Sequence, residues 1–438
     1  MSHYKPYPEY KESGIEWIGK VPEHWNLIPI KRLTKLNTVR MSDTTEGMTY
    51  IGLEDVESES GKYSPTDGNS RQSDSSTVGV FSKGQVLYGK LRPYLKKSII
   101  ADFDGVCSTE FLVLQPERVL PELLHRWFLT SDVTQQIEAT CEGAKMPRAD
   151  WESIGNISMP LPPKQEQLKI RESIQFETNR IDTLITKKTR FIELLKEKRQ
   201  ALITHAVTKG LDPDAPMKDS GIVWIGEIPE HWDMKRLRHI ANFKNSNVDK
   251  KSYDDQESVK LCNYTDVYYN EIITPDMNFM VATASESEIE SFSLKKGDVI
   301  ITKDSEDPKD IGIPALVLED MDDVVCGYHL TVINTYEPNM SEFVYRSIQA
   351  HSTKAHFFVE SPGITRYGLD QDAIGDIPVC VPPEEERLSI IDRINWEVIR
   401  IDTIITKTQR SIELLKERRS AFITAAVTGQ IDLREEVQ

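Results

Sequence analysis

A long stretch that occurs twice constrains the fold of this chain more than any other feature. Residues 163–208 read PKQEQLKIRESIQFETNRIDTLITKKTRFIELLKEKRQALITHAVT, and residues 383–428 repeat the pattern at a constant offset of 220 without a gap. After its first residue neither copy contains Pro or Gly, and both are rich in Lys, Glu, Arg and Thr. Each copy therefore predicts one long helix, which at roughly 1.5 Å per residue spans about 68 Å.

A narrow apolar stripe runs along both predicted helices at alternating steps of three and four residues, which is the heptad pattern of a coiled coil. Because one helix cannot bury such a stripe alone, we expect the two copies to pair antiparallel, with left-handed supercoiling. Polar residues interrupt the stripe at matching positions of the two copies, Lys188 and Thr408 at one and Arg199 and Arg419 at the other. These interruptions could fix the register of the helix pair or provide a place where helices of a partner protein bind. The predicted seam residues are Ile174, Ile181, Ile185, Ile192, Leu195 and Leu202 in the first copy and Ile394, Ile401, Ile405, Ile412, Leu415 and Phe422 in the second.

A short lead also repeats, ahead of each variable region. Residues 13–25 read SGIEWIGKVPEHW and residues 220–232 read SGIVWIGEIPEHW, so eleven of thirteen positions agree or nearly agree. Each half of the chain is therefore predicted to contain this lead, a variable domain and a long helix. His24 and His231, each beside a Trp, are interpreted as packing elements rather than metal ligands or catalytic groups.

The variable domains, residues 26–160 and 233–381, differ in sequence but share an outline. Each is predicted to contain a first strand, a turn glycine followed by a β-rich run, a further β-rich segment, a helical stretch, a loop with Gly143 or Gly363, and a Pro-rich exit. The matched segments are, in order, 50–53 and 259–262, 81–88 and 294–302, 105–114 and 324–333, and 121–137 and 341–358.

These elements predict an α+β protein in which two small mixed α/β domains are joined by two long antiparallel coiled-coil helices, as a pseudo-twofold internal repeat. The predicted boundaries are 1–160 for the first domain with its lead, 161–210 for the first long helix, 211–380 for the second domain with its lead, and 381–438 for the second long helix and the C-terminal tail.

Composition places the chain among ordinary globular proteins, with 39% hydrophobic and 28% charged residues. No apolar run approaches about 18 residues and the first ten residues lack a hydrophobic signal region, so a cytoplasmic location without a membrane span is expected. The five cysteines show no CxxC spacing, which favours free thiols in a reducing compartment and predicts no metal site.

The motifs together resemble a known family. The paired SGI-x-WIG-x-x-PEHW leads, the PLPPKQEQ and VPPEEER segments, and the ELLKEKRQALITHAVTKGLDP and ELLKERRSAFITAAVTGQIDL helix ends resemble the specificity (S) subunit of a Type I restriction-modification system. The resemblance covers essentially the whole chain. The second helix departs from the first at its start, where residues 384–387 are EEER and residues 164–167 are KQEQ.

This resemblance implies a function for each part. The two domains would be target-recognition domains that each read one half of a bipartite sequence in double-stranded DNA, and the helices would hold two methyltransferase (M) subunits. Motor and nuclease (R) subunits would join for cleavage. The chain itself would be non-catalytic and bind no cofactor, with S-adenosylmethionine expected on the methyltransferase.

Two other classes of function are weighed against this one. An enzyme would need a nucleotide or methyl-donor motif, and the sequence contains neither a GxxxxGK[ST] loop nor an Asn-Pro-Pro-aromatic or Asp-Pro-Pro-aromatic tetrapeptide. Asp304 and Glu306 near Lys309 are acidic neighbours of a kind that 70 acidic residues produce by chance. A structural coiled-coil scaffold without DNA contact explains the helices but not two separately diversified domains.

Net charge fits DNA binding poorly, because the total is −17. The first domain (26–160) contains 15 basic and 18 acidic residues, and the second (233–378) contains 14 basic and 26 acidic residues. Local basic patches are therefore the candidates for DNA contact, with phosphate contacts expected mainly from the methyltransferase. The alternative for every one of them is a solvated loop charge. The candidates are Lys90, Arg92, Tyr94, Lys96, Lys97, Lys145 and Arg148 in the first domain and Lys303, Lys309, Arg366 and Tyr367 in the second.

Overall fold

The computed structural model describes residues 4–42, 48–65, 77–141, 143 and 145–434. The chain divides into two compact units, Met1–Lys188 with Arg410–Gln438 and Thr189–Gln409. Each unit contains one lead, one variable domain and a part of both long helices. Within the described ranges, no helix combines the length and the apolar character that a membrane span requires.

The first unit begins with the lead and ends in the long helices. Its strands and helices are β1 (Tyr10–Glu12), β2 (Lys20–Pro22), β3 (Asn26–Pro29), β4 (Thr34–Asn37), β5 (Arg40–Met41), β6 (Tyr50–Ile51), β7 (Val78–Phe81), β8 (Val86–Gly89), β9 (Ser98–Ile100), β10 (Gly105–Cys107), β11 (Phe111–Pro116), α1 (Pro121–Phe128), α2 (Ser131–Glu138), α3 (Trp151–Asn156), β12 (Ser158–Leu161) and α4 (Lys164–Lys209), the last of which belongs to this unit up to residue 188.

Two four-stranded sheets form the first variable domain. One is antiparallel in the order β4-β11-β8-β9, and the other has the order β5-β7-β10-β6, with β10 and β6 parallel. One core lies between the antiparallel sheet, α1, α2 and the long helices, and includes the fully buried Trp25 and Trp127. A smaller core, with Phe81 and Leu87, lies between the two sheets.

The second unit follows the same plan. Its strands and helices are β13 (Met217–Asp219), β14 (Glu227–Pro229), β15 (Asp233–Arg236), β16 (Ala241–Asn245), β17 (Glu257–Cys262), α5 (Tyr264–Tyr269), β18 (Ile272–Ile273), β19 (Met280–Ala284), α6 (Glu286–Phe292), β20 (Ser293–Leu294), β21 (Val299–Thr302), β22 (Asp304–Ser305), β23 (Pro314–Val317), β24 (Met321–Cys326), β25 (Leu330–Thr335), α7 (Ser341–Gln349), α8 (His351–Glu360), β26 (Tyr367–Gly368), α9 (Gln371–Gly375), β27 (Pro378–Val381) and α10 (Glu384–Val427). Its two larger sheets have the orders β16-β25-β21-β23-β18 and β19-β17-β24-β20, and β17 pairs parallel with β24 as β6 does with β10.

Each domain closes on itself before the long helix begins. The exit strand β12 pairs antiparallel with β3, which follows the lead, and β27 pairs in the same way with β15. Two prolines then follow each exit strand and provide no N–H for further pairing, and the helices begin directly after them, at Lys164 and Glu384.

The prediction that residues 50–53 and 259–262 form the first strands is wrong. β3 and β4 precede the former segment, and β15 and β16 precede the latter. These early strands pair with strands much later in their domains, β4 with β11 and β16 with β25. Long-range pairing rather than local β-propensity therefore decides their structure.

The long helices pair antiparallel within each unit. In the first unit Asp182 Oδ1 lies 3.0 Å from Arg419 Nε, and in the second Asp402 Oδ1 lies 3.3 Å from Arg199 Nε. The offset of 220 relates the two bridges, so one register holds in both units. Of the predicted seam residues, Ile185, Leu202, Ile412 and Leu415 are half-buried and the rest are buried, namely Ile174, Ile181, Ile192, Leu195, Ile394, Ile401, Ile405 and Phe422.

The lead of each unit is fixed to the first turn of the long helix in that unit. Glu166 accepts hydrogen bonds from Tyr7 Oη (2.6 Å) and Trp25 Nε1 (3.1 Å), and its other oxygen lies 2.8 Å from His24 Nε2. In the second unit His231 Nε2 lies 2.7 Å from Glu386, and the Nε1 of the buried Trp232 has no acceptor among the described residues. This geometry agrees with the packing interpretation of the Glu-His-Trp motif.

Candidate nucleic-acid interface

The basic loop of the first domain has an unusual backbone. It leaves β8 at Gly89 and forms a short turn at Pro93–Leu95, which Arg92 and Lys96 flank with φ of 51° and 48°. Left-handed backbone at a residue other than glycine costs about 1 to 2 kcal/mol, so the surrounding structure must hold both residues in place.

A neighbouring segment provides that support. Arg92 N donates to Pro147 O (2.8 Å), Ala149 N donates to Lys90 O (2.9 Å), and Leu91 forms a bridge with Arg148. These bonds bring the residues predicted around Lys145 and Arg148 next to residues 90–97, although 47 residues (98–144) separate the two segments in sequence. All seven candidates of the first domain therefore belong to one surface, which we call the first basic surface.

Some of the candidate side chains in this surface are hydrogen-bonded within the domain and others are not. Lys96 Nζ donates to Ser131 Oγ (3.0 Å), Lys97 Nζ donates to Leu53 O (2.7 Å), and Arg148 bonds Glu110 (2.8 Å). Arg92 Nε is buried without an acceptor, and Tyr94 is about half exposed. Lys90 and Lys145 have no side-chain hydrogen bond or ion pair with a described residue.

The candidates of the second domain also come together. Strand β22 pairs with β26, with Ser305 opposite Tyr367, so residues 303–309 and 366–367 share one surface, the second basic surface. Asp304 Oδ1 accepts from Arg366 Nη2 (2.5 Å) and lies 2.7 Å from His329 Nδ1. Asp304 is therefore engaged by two basic side chains.

The two lysines of this surface have different environments. Lys303 Nζ lies 4.5 Å from the centre of the Tyr328 ring, and burial lowers the pKa of this lysine. Lys309 is exposed in the short turn Pro308–Asp310, and its backbone N donates to Asp307 Oδ1. Lys309 and the exposed Arg366 are thus the accessible charges.

Sequence reasoning missed Tyr328 and His329, which occupy the turn between β24 and β25. They line a cavity of about 250 Å³ together with Asp249, Lys250, Asn263, Tyr264 and Gly327. In the first domain the matching turn between β10 and β11 contributes Glu110, which holds Arg148. The match between residues 105–114 and 324–333 was visible in the sequence and could have directed attention to this turn.

The described part of the chain contains no group of three or more His, Cys, Asp or Glu side chains arranged to hold a metal ion. The five cysteines are free, and only Cys141 is partly accessible.

Comparison with known proteins identifies the relatives of this chain. No family model matches the sequence. The chain is 21% identical over 337 residues to the MjaVIII Type I restriction enzyme specificity subunit of Methanocaldococcus jannaschii, and the match covers 75% of both proteins. It is 20% identical over 438 residues to the EcoKI specificity subunit of Escherichia coli K12, covering 94% of this chain and 90% of that one. Both relatives are specificity subunits of Type I restriction enzymes, and the chain resembles them over most of its length.

Solved structures agree on the fold of this chain. A chain from a structural study of complex assembly and conformational transition in a type I restriction-modification system matches with a TM-score of 0.71 at 17% identity, over 94% of this chain and 99% of that one. The HsdS subunit from Thermoanaerobacter tengcongensis matches with a TM-score of 0.52 at 16% identity, over 94% and 98%. The predicted fold class is confirmed, as is the resemblance to specificity subunits of Type I restriction-modification systems.

Proposed function

We propose that this specificity subunit reads a bipartite sequence in double-stranded DNA, with one variable domain for each half-site, while its long helices hold two methyltransferase subunits. The observation that carries the proposal is that two domains of different sequence are built on one plan. Each presents a basic loop beside the glycine-containing loop that precedes its exit strand. A duplicated plan with diversified loops is what two independent readers require.

Base reading is assigned to the candidates whose donors are not already engaged. In the first basic surface these are Arg92, Tyr94, Lys90 and Lys145, because Lys96, Lys97 and Arg148 are bonded within the domain. Arg is the side chain best suited to the O6 and N7 acceptors of guanine, and Lys more often contacts phosphate.

In the second basic surface the same rule assigns base reading to Lys309 and Tyr367, because Arg366, like Arg148 in the first, is already bonded to a carboxylate, that of Asp304. Lys309 lies in the turn Pro308–Asp310 and Tyr367 in β26, and Lys303 Nζ lies over the ring of the half-exposed Tyr328. Exposed tyrosine rings beside basic groups suit contact with sugars and base edges.

The outer surface of the helices supports the proposal of two methyltransferase partners. Phe176 and Trp396 occupy matching positions of the two copies and are 66% and 53% exposed, and Leu194 and Leu414 match in the same way at 47% and 49%. Large apolar side chains exposed in pairs at the repeat distance fit two identical partners better than one. Motor and nuclease subunits, and a cytoplasmic location, complete the proposal.

The proposal is tested by expressing the chain with its methyltransferase and sequencing the methylated adenines and cytosines of the host genome. We expect one bipartite methylated motif. Replacing residues 26–160 by the matching segment of a relative should change one half of that motif and leave the other half intact. A motif that changes in both halves would contradict independent reading, and the absence of any motif would favour a scaffold without DNA contact.

A further inference from the structure

Two arginines of the first unit lie close together with one carboxylate near them. Arg126, on α1, lies within electrostatic range of Arg419 on α10 and Asp182 on α4, and Asp182 Oδ1 lies 3.0 Å from Arg419 Nε. Arg126 makes no side-chain hydrogen bond or ion pair with a described residue, and its Nη1 is buried without an acceptor. Burial and then the charge of Arg419 lower the pKa of Arg126 to about 10. Counted over these three side chains of the described residues, the group carries one positive charge more than its single carboxylate balances.

In the second unit, carboxylates balance the charges of the two matching arginines. Arg346 and Arg199 lie at the offset of 220 from Arg126 and Arg419. Arg346 donates to Gln349 Oε1 (2.9 Å) and Asn395 Oδ1 (2.8 Å). Arg199 contacts two carboxylates, because Glu271 Oε2 accepts from its Nη2 (2.5 Å) and Asp402 lies beside its Nε.

The difference lies in residues outside the repeated helices. Glu271 comes from the segment between α5 and β18 of the second variable domain, and its oxygen also lies 4.0 Å from Arg346. In the first unit Arg126 has no such carboxylate among the described residues. A partly buried guanidinium without a partner is costly, so a group of this kind is expected to bind an anion.

We propose that Arg126 and Arg419 form a binding site for a backbone phosphate of DNA. A phosphodiester carries one negative charge, which equals the excess charge of the group, and its two free oxygens match the paired donors of a guanidinium. Solvent reaches the site, because Arg126 is half-buried and the side chains of Arg419 and Asp182 are 20% and 51% exposed. The inference rests on the proposed function, which it extends from base reading to a phosphate contact.

The position of the site favours DNA over an acidic side chain of a protein partner. Helices α1 and α2 support the first basic surface: His125, next to Arg126, lies 3.2 Å from Ser98 Oγ, and Ser131 accepts from Lys96. Arg126 is thus carried by the same helices that position the proposed base-reading loop.

The test uses the complete complex of specificity and methyltransferase subunits and measures DNA affinity across a range of salt concentrations. Each phosphate contact contributes about 0.9 to the slope of log K against log salt. Arg126→Gln should therefore reduce the slope by about 0.9, weaken cognate and unrelated duplexes by the same factor, and leave the methylated motif unchanged. Arg126→Lys, which retains the charge, should restore the slope.

Arg346→Gln is the matched control, and its slope should stay at the value of the unsubstituted complex because Glu271 already balances that pair. An unchanged slope in a folded Arg126→Gln complex would overturn the proposal. Weaker assembly with the methyltransferase at an unchanged slope would also overturn it and would assign the site to a protein carboxylate. If Arg126→Gln does not fold, Arg419→Gln gives the same comparison. An unsubstituted complex that binds DNA without sequence preference would contradict only the proposed function, because the slope comparison does not depend on preference.

Discussion

Replacing the glutamate that receives each lead should destabilise the two halves of the chain unequally. Glu166 is 7% exposed and contacts three partners, whereas Glu386 is 30% exposed and contacts His231. A hydrogen bond to a charged group contributes about 1.5 to 3 kcal/mol, and an amide in place of the carboxylate turns an NH₂ group toward donors. We therefore expect Glu166→Gln to cost about 2 to 4 kcal/mol and Glu386→Gln about 1 kcal/mol or less.

Hydrogen exchange followed by mass spectrometry measures this locally. Peptides that cover residues 4–25 report on the first lead and the segment before it, which contains Tyr7, and peptides that cover residues 211–232 report on the second lead and the segment before it. Glu166→Gln should accelerate exchange of the first lead by about 30-fold or more and leave the second unchanged, since 1.4 kcal/mol corresponds to a factor of ten. Glu386→Gln should accelerate exchange of the second lead by about fivefold or less. Equal acceleration in both variants, or protection of the first lead that survives Glu166→Gln, would refute the assignment of Glu166 as the group that fixes the lead.

Arg92→Ala should relax one position of the methylated motif and weaken DNA binding by about 1 to 3 kcal/mol. Lys97→Ala, which removes the hydrogen bond to Leu53 O, should lower thermal stability and leave the motif intact. A motif altered only by Lys97→Ala would reverse these roles. Burial, and then the charges of Arg126 and Arg419, lower the pKa of His125 in the folded protein from its usual 6.5 to about 3. Below pH 6.5 the unfolded chain binds this proton first, so the free energy of unfolding falls by about 1.4 kcal/mol per pH unit on acidification toward pH 3 and is unaffected by this group above pH 6.5. Urea titrations from pH 7 to 5 should show a smaller loss of stability for His125→Asn than for the unsubstituted protein. Arg199→Ala should destabilise its unit more than Arg419→Ala destabilises the other, by about 1 to 2 kcal/mol in local exchange, because Arg199 balances Glu271 as well as Asp402.

The sequence by itself determined the helices and the repeat. Local composition decides that residues 164–209 and 384–427 are helical, since no Pro or Gly interrupts either helix and the apolar residues recur at heptad spacing. The offset of 220 was sufficient to predict two related halves, and it also relates Asp182 and Arg419 to Asp402 and Arg199. These features depend on residues within a few turns of one another, which a sequence displays directly.

Only the tertiary structure decided which basic residues remain available and where the early strands belong. Lys96 and Lys97 lie in the densest basic cluster of the sequence, yet both side chains are bonded within the domain to partners more than 30 residues away. Strand β4 is paired by β11, and Arg126 differs from Arg346 because Glu271 reaches only the latter. In each case the deciding partner is distant in the chain, and no local pattern of charge or hydrophobicity specifies which distant group will arrive there.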